Sequence, residues 1–327
     1  MADTVICYRD GALHLERLAP PTPRAGEVRY HVLAFALNRS ELLFMDDRHY
    51  VPRRDGVRLG YEACGVVDAV GPGVTGFAVG DRVSSIPFAN DTYGVNGSWA
   101  VTPAEWLAPW PASLDAAEGC SAWMQYLTAY FPLFELTPVE PGEVVLVSAA
   151  SSSAAIGACQ LARSRGAHVI GLTRRSTKSA GLLALGYDAV IATDEIEDLA
   201  RAIRAAAGGR PVRLSYDAVC GDLVARYASA LAPGATIYAY GNLSGDPEVR
   251  LPLIAGVRGD LRLHAYSTPN FSHDPVQRAR AVAVIAPMLA SGRLRPVIDQ
   301  RFAFADWRDA YVRLRSGEQL GKVVVTL

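Results

Sequence analysis

The chain has 327 residues, half of them hydrophobic, with a formal net charge of -1, so its length suits two domains around large cores. Its near-neutral balance, with no basic run or aromatic-interleaved Lys/Arg patch, argues against nucleic acid as a partner. The opening "MADTVICYRDGALHLERL" has an acid at once and no long apolar core, unlike a targeting peptide. No apolar stretch approaches the roughly 20 residues that cross a bilayer, so the expectation is a soluble, cytoplasmic protein with no membrane partner.

The first hundred residues hold short β-like runs broken by glycine and proline, "EVRYHVLAFAL", "EACGVVDAVG", "DRVSSIPF" and "GSWAVTP", which is the texture of a small all-β unit. "GPGVTGFAVGDRV" reads as a glycine-rich turn between two strands. From about Ser121 the texture changes. Nearly all-apolar strand candidates, "EVVLVSAA", "HVIGLT", "AVIAT", "VRLSYDAV" and "ATIYAY", alternate with helical segments such as "AIGACQLARSRG" and "EIEDLARAIRAAAGG". Such alternation predicts a doubly wound parallel sheet covered on both faces, a Rossmann-type α/β arrangement. "LRLHAYS" would extend that sheet to an edge, and the ending "RFAFADWRDAYVRLRSGEQLGKVVVTL" supplies a helix and a strand that could return to the first domain.

The five cysteines, Cys7, Cys64, Cys120, Cys159 and Cys220, are scattered and odd in number, which suits reduced core thiols. The six histidines are equally dispersed. Local spacing offers no set of three or four converging zinc ligands.

In a doubly wound sheet the ligand sits beyond the first strand, at the N-terminus of the next helix. That turn is "VLVSAASSSAAIGACQLA", Val145–Ala162. The usual three glycine places fall on Ala150, Ser152 and Ala155, where glycine would serve a tight turn, close approach to a pyrophosphate and close helix packing. Ser151, Ser152 and Ser153 offer hydroxyls to phosphate oxygens or to the helix cap. The motif reads as a modified phosphate loop. The second strand ends on Thr173, Arg174, Arg175, Ser176 and Lys178 where an NAD site would place an acid. These residues could form a solvated basic face, but cations oppose the dipole at a helix start, and a 2′-phosphate explains them better; the cofactor expected is NADPH.

Taken together, "LNRSELLFMDDRHY", "LGYEACGVVDAVGPGVTGFAVGDRV", "WMQYLTAYFPL", the serine-rich loop, "GYDAVIAT", "YDAVCG", "YGNLSG" and "GKVVVTL" resemble the medium-chain dehydrogenase/reductase superfamily. Within it, the chain resembles the zinc-free quinone oxidoreductase-like branch. The resemblance implies a GroES-like β domain over residues 1–120, rejoined by about 285–327, and a Rossmann NADP-binding domain over 121–284, with the active site in the cleft between them. Where the zinc-dependent branch carries a cysteine, a histidine and a further cysteine, this sequence has Asn38, Tyr61 and, nearby, Met124. Glu62 follows the lost histidine. The resemblance therefore implies no metal.

Without a Lewis acid, oxidation of simple alcohols is disfavoured, whereas hydride addition to a C=C bond conjugated with a carbonyl needs only donors for the developing enolate and exclusion of water. The expected function is an NADPH-dependent reductase of an enone, quinone or enoyl thioester. By the same resemblance, Tyr50 is the leading donor to the enolate, Asn38 orients substrate or cofactor, and Tyr61 could join them. Thr128, Asp217, Gly221, Tyr240, Gly241, Asn242 and Lys322 fall at cofactor contacts, and Ala154 and Ala155 depart from a bulkier residue and a glycine. A non-redox enzyme performing conjugate addition or cyclisation, and a non-catalytic binding protein, remain alternatives. A homodimer formed through "LRLHAYS" is also implied.

Overall fold

The computed structural model describes residues 3–49, 51–88 and 92–327. In chain order the elements are β1 (Thr4–Arg9), β2 (Ala12–Arg17), β3 (Glu27–Ala36), α1 (Arg39–Met45), β4 (Val57–Arg58), β5 (Glu62–Val70), β6 (Arg82–Ser85), β7 (Trp99–Pro103), β8 (Leu107–Pro109), α2 (Ala116–Gly119) and α3 (Trp123–Tyr130). Then follow β9 (Val144–Val147), α4 (Ser153–Ser164), β10 (His168–Thr173), α5 (Ser179–Ala184), β11 (Ala189–Ala192), α6 (Leu199–Ala207), β12 (Val212–Asp217), α7 (Asp222–Tyr227) and β13 (Thr236–Ala239). The chain closes with α8 (Leu253–Gly259), β14 (Arg262–Ala265), α9 (Pro269–Ser272), α10 (Pro275–Ala290), β15 (Ile298–Ala303), α11 (Trp307–Ser316) and β16 (Lys322–Thr326). These elements divide into two units, Met1–Met124 with Ala283–Leu327, and Gln125–Val282.

The first unit is a β structure. Its larger sheet runs β15-β16-β3-β5-β6-β8, with β7 also paired to β3, and a smaller sheet runs β2-β1-β4. Alternation of apolar and polar residues along the ten-residue β3 turns Val28, Tyr30 and Val32 to the core, as one half-buried face demands. The returning β16 lies antiparallel to β3, with Val324 opposite Ala36 and Thr326 opposite Ala34. Val323 and Val325 join Phe35, Leu42, Phe304 and Trp307 in one buried cluster. The C-terminal strand therefore does return to the β unit.

The second unit carries a six-stranded sheet among the described residues, ordered β11-β10-β9-β12-β13-β14, and every pairing in it is parallel. All four residues of β9 are buried, because helices cover both faces of a parallel sheet. Helix α6 shows the local logic. Asp198 accepts the Arg201 N–H to cap its start, Leu199, Ala200, Ile203 and Ala207 form its buried stripe, and Gly208 closes it in the left-handed region at φ 57°. Strand order reverses on either side of β9, so the sheet's carboxyl edge splits there, at the place where such sheets bind ligands. Among the described residues no helix is long and apolar enough to cross a membrane.

Phe35 is fully buried and meets Phe304 edge to face, with ring centroids 6.2 Å apart. Phe35→Ala should therefore lower stability by about 3–5 kcal/mol, read as a fall in the urea midpoint of the first unit's transition.

Candidate functional site

The serine-rich loop has no glycine, and the turn and the close packing that glycine would serve fall to other residues. The turn after β9 is made by Ala149, which takes a left-handed φ of 48°, a conformation that costs a residue with a Cβ about 1–2 kcal/mol. Ala150 is fully buried and donates its N–H to the Leu172 carbonyl (2.9 Å). Its methyl fits because the neighbouring strand has Gly171: a Cβ there would lie 2.9 Å from the Ala150 Cβ and 2.8 Å from Tyr187 Cδ1. Tyr187 in turn donates its hydroxyl proton to the Ala150 carbonyl at 2.9 Å. Ser152 caps α4 by accepting the Ala155 N–H (3.2 Å), while the first turn's other amides lack intrahelical acceptors, as at any helix start. Ala155 is fully buried. Close packing of the helix falls to Gly157, where a Cβ would stand 3.1 Å from the Gln125 carbonyl.

Around this loop, Lys178 donates from Nζ to Ser151 Oγ at 3.3 Å, which brings the basic end of the second strand to the serines. Ser153 and Ala154 are half-buried at the helix start, and Arg174 and Arg175 are exposed beyond a buried Thr173. Ser176 is exposed and paired with an acid. Both its N–H and its hydroxyl are taken by Glu195 Oε1, at 2.9 and 3.2 Å, and those two bonds hold the Glu195 carboxyl below the ordinary carboxylate range. The sequence separation of Ser176 and Glu195 concealed this acid, which the parallel pairing of β10 with β11 brings near.

At the ends of β12 and β13, Asp217 is fully buried. Its Oδ1 accepts from Ser148 Oγ (2.5 Å), Val219 N (2.8 Å) and Cys220 N (3.0 Å), and its Oδ2 accepts from Tyr227 (2.8 Å). Asp217 was expected among the cofactor contacts; its carboxylate is held by these internal donors, as a charge buried at this depth requires. It shapes the turn. Gly221 takes a positive φ of 57°, and a Cβ at Gly241 would come within 2.8 Å of the Ala218 carbonyl, so the first glycine serves a turn and the second a close backbone approach. Tyr240 stacks on Tyr216 with centroids 3.9 Å apart. Tyr240 is half-buried, and burial first, then the Asp217 charge, push its phenol above the ordinary range. Asn242 is half-buried beside it and accepts the Gly245 N–H at 3.2 Å, and Thr128 on α3 is buried.

The first unit contains a buried polar cluster. Lys322 Nζ donates to Asn38 Oδ1 (2.6 Å) and to Glu62 Oε2 (2.5 Å), with both charged side chains only 1% exposed. Asn38 Nδ2 donates to the Ala36 carbonyl and to Glu62 Oε2, at 3.2 and 3.3 Å, and the Met124 N–H donates to Glu62 Oε1. Lys322 and Asn38, expected to face cofactor or substrate, are therefore turned into the protein, because an ammonium removed from water must be matched by acceptors. Asn38 also starts α1, where its N–H is accepted by Glu41 Oε1 at 2.9 Å. Glu41 Oε2 accepts from Tyr311 (2.7 Å) and Asn96 Nδ2 (2.8 Å). Glu41, Asn96 and Tyr311 were not singled out from sequence. The capping-box spacing Asn38-x-x-Glu41 was the available signal for Glu41, but nothing local pointed to the other two. Tyr61 is half-buried; Tyr50 lies outside the described residues.

Two outcomes follow. Gly171→Ala should destabilise the protein by about 1–3 kcal/mol through overpacking, and Ala150→Gly should restore part of that loss in a double-mutant cycle of urea melts. Lys322→Met should cost about 3–5 kcal/mol by leaving Glu62 buried without its counter-charge, and Glu62→Gln in the same chain should recover much of it.

Two family models match. The alcohol dehydrogenase GroES-like domain matches residues 24–112, and the zinc-binding dehydrogenase model matches residues 155–270. A 2-haloacrylate reductase from a Burkholderia species is 27% identical over 322 residues, covering 95% of this chain and 93% of that protein. A pikromycin polyketide synthase component from Streptomyces venezuelae is 30% identical over 316 residues, which is 95% of this chain but only 8% of that protein's length. The structure of Escherichia coli quinone oxidoreductase complexed with NADPH superimposes with a TM-score of 0.88 at 25% identity, over 99% of this chain and 100% of that one. With a GroES-like β unit, a parallel dinucleotide-type sheet and these relatives, the chain belongs to the medium-chain dehydrogenase/reductase superfamily, in its quinone oxidoreductase-like branch.

Proposed function

We propose that the chain is an NADPH-dependent, metal-free reductase that saturates a C=C bond conjugated with a carbonyl, as in an enone, a quinone or an enoyl thioester. The observation that carries this reading is the Lys322–Glu62–Asn38 cluster. By resemblance, the zinc branch's first two ligand positions hold the amide of Asn38 and the phenol of Tyr61, and the third falls near the thioether of Met124. The amide already accepts from a lysine ammonium, a donor set ill suited to a divalent ion. A substrate activated by its own conjugation does not need that ion.

The residues of the second unit suit a dinucleotide phosphate. Ser151, Ser152, Ser153 and the first-turn amides of α4, including that of Ala154, would hold the pyrophosphate at the positive end of the helix. Arg174, Arg175 and Lys178 would neutralise a 2′-phosphate. Tyr240, Gly241 and Asn242, which follow β13, and Thr128 on α3 would meet other polar groups of the nucleotide. When bound, NADPH would supply the hydride. The chain's own part is to donate hydrogen bonds, from Tyr61 and Tyr50, to the carbonyl oxygen where charge collects.

We further propose a homodimer formed through β14, an edge strand beside α8, whose Leu253, Ile254 and Val257 are 76%, 61% and 71% exposed. An uncovered strand edge flanked by apolar side chains suits a second copy of itself.

Titration with NADPH and NADH, followed by nucleotide fluorescence, should give tighter binding of NADPH. The double variant Arg174→Ala/Arg175→Ala should weaken NADPH about 10–100-fold and leave NADH nearly unchanged. A filled NADPH site that reduces no conjugated carbonyl would overturn the reductase reading, and failure to bind either nucleotide would favour non-redox chemistry or a binding role. A solution mass of one chain at high concentration would overturn the dimer.

A further inference from the structure

The turn that follows β11 brings an acid to the basic end of β10, and the proposed cofactor site gives that acid no role. Glu195 Oε1 accepts both the N–H and the hydroxyl of Ser176, at 2.9 and 3.2 Å. Two donors of one residue that converge on a single anionic oxygen are an arrangement that also holds a phosphate oxygen. Ser176 directly follows Arg174 and Arg175 in the chain, and Lys178, two residues on, donates to Ser151 of the serine loop at 3.3 Å. Glu195 therefore stands on donors in the middle of the segment to which a 2′-phosphate is assigned.

We infer that Glu195 is a specificity-determining residue: its carboxylate holds the Ser176 donors that the 2′-phosphate of NADPH would take, so the phosphate binds there by displacing it. The inference rests on the proposed 2′-phosphate site at Arg174, Arg175 and Lys178. It adds to that site a residue that works against the phosphate, where the basic residues work for it.

The backbone fixes where Glu195 stands. β10 pairs in parallel with β11 up to Thr173 opposite Ala192, and the Asp194 N–H donates to the Arg174 carbonyl at 3.0 Å. Arg226 Nη2 donates to the carbonyls of Thr193 and Ile196, at 2.7 and 2.9 Å, so the turn is held on both sides of Glu195. Asp194 accepts from the Thr193 hydroxyl at 3.2 Å; of the two neighbouring acids, Glu195 is the one directed at Ser176. The Glu195 side chain is exposed. It can swing into solvent while the turn that carries it stays in place.

Charge gives the displacement its selectivity. A carboxylate and a phosphate compete for the same two donors, and they repel each other if both remain. The neutral 2′-hydroxyl of NADH makes no such demand and leaves Glu195 on Ser176. The bonds from Ser176 first, and also the Arg175 charge, hold the Glu195 carboxyl below its ordinary range, so the competitor is ionised throughout the neutral range. Preference for NADPH is then the difference between the attraction of the basic residues and the opposition of this one acid.

Calorimetric binding of 2′,5′-ADP and of 5′-AMP to the full chain tests this, because the two ligands differ only in the 2′-phosphate. Glu195→Ala should tighten 2′,5′-ADP and NADPH by about 5–20-fold and leave 5′-AMP and NADH unchanged. Glu195→Gln keeps an acceptor for Ser176 but loses the charge, and should show a smaller gain in the same direction. In NMR spectra of the wild type, 2′,5′-ADP should move the Ser176 amide and Glu195 carboxylate resonances, and 5′-AMP should leave them in place. If 2′,5′-ADP is preferred to 5′-AMP, but Glu195→Ala gives no gain for it, a loss, or an equal gain for 5′-AMP, the displacement alone is overturned and Glu195 is a tie that shapes the turn. If neither wild type nor Glu195→Ala prefers 2′,5′-ADP to 5′-AMP, the 2′-phosphate site itself is overturned, and the inference with it.

Discussion

The contact between the Lys322 ammonium and the Glu62 carboxylate, both 1% exposed, is the constraint on which the first unit depends. Two charges withdrawn from water impose a desolvation cost that only complete hydrogen bonding offsets, and the surrounding chain meets that demand. The last strand is tied through Lys322 to β5, the start of α1 is tied through Asn38, and the chain entering α3 is tied through the Met124 N–H. A strand near the C-terminus, one from the middle of the β unit and the helix between them are therefore fixed by one ion pair.

The second unit uses the same device with a different pairing. Asp217 collects four donors from the residue after β9, from α7 and from its own turn, and so sets the loop that follows β12 beside the one that follows β9. In each unit a buried carboxylate organises the backbone at the end of a strand, where a functional surface has to be held in shape. Neither carboxylate needs to touch a ligand for the surface to depend on it.

Strand and helix patterning was legible because it is local. The all-apolar β9, the largely apolar β10 and the amphipathic α6 follow from periodicity, and the apolar run at the end of the chain marked β16 as a strand that could return to the first unit. Roles at the site were less legible. Asp217 and Lys322 stand at positions that suggested ligand contacts, but whether a charge faces a ligand or an internal partner depends on residues distant in the chain, such as Tyr227 and Glu62. Ser176 was read among the residues that meet a 2′-phosphate, and only the parallel pairing of β10 and β11 brings Glu195 to it. Glu41 was hidden by its type, since an acid in the first turn of a helix ordinarily caps it in solvent.

The absence of glycine from the phosphate loop looked like a defect when the loop was considered alone. In the fold, the space that a loop glycine would provide is found on the adjacent strand at Gly171 and on the helix at Gly157. This places a condition on the order in which such a loop can arise or be transplanted. An alanine at position 150 is compatible only with a strand that already lacks a side chain at position 171. A relative given this serine loop without that strand glycine would inherit a collision, and a chain changing by single steps must open the strand before it can fill the loop.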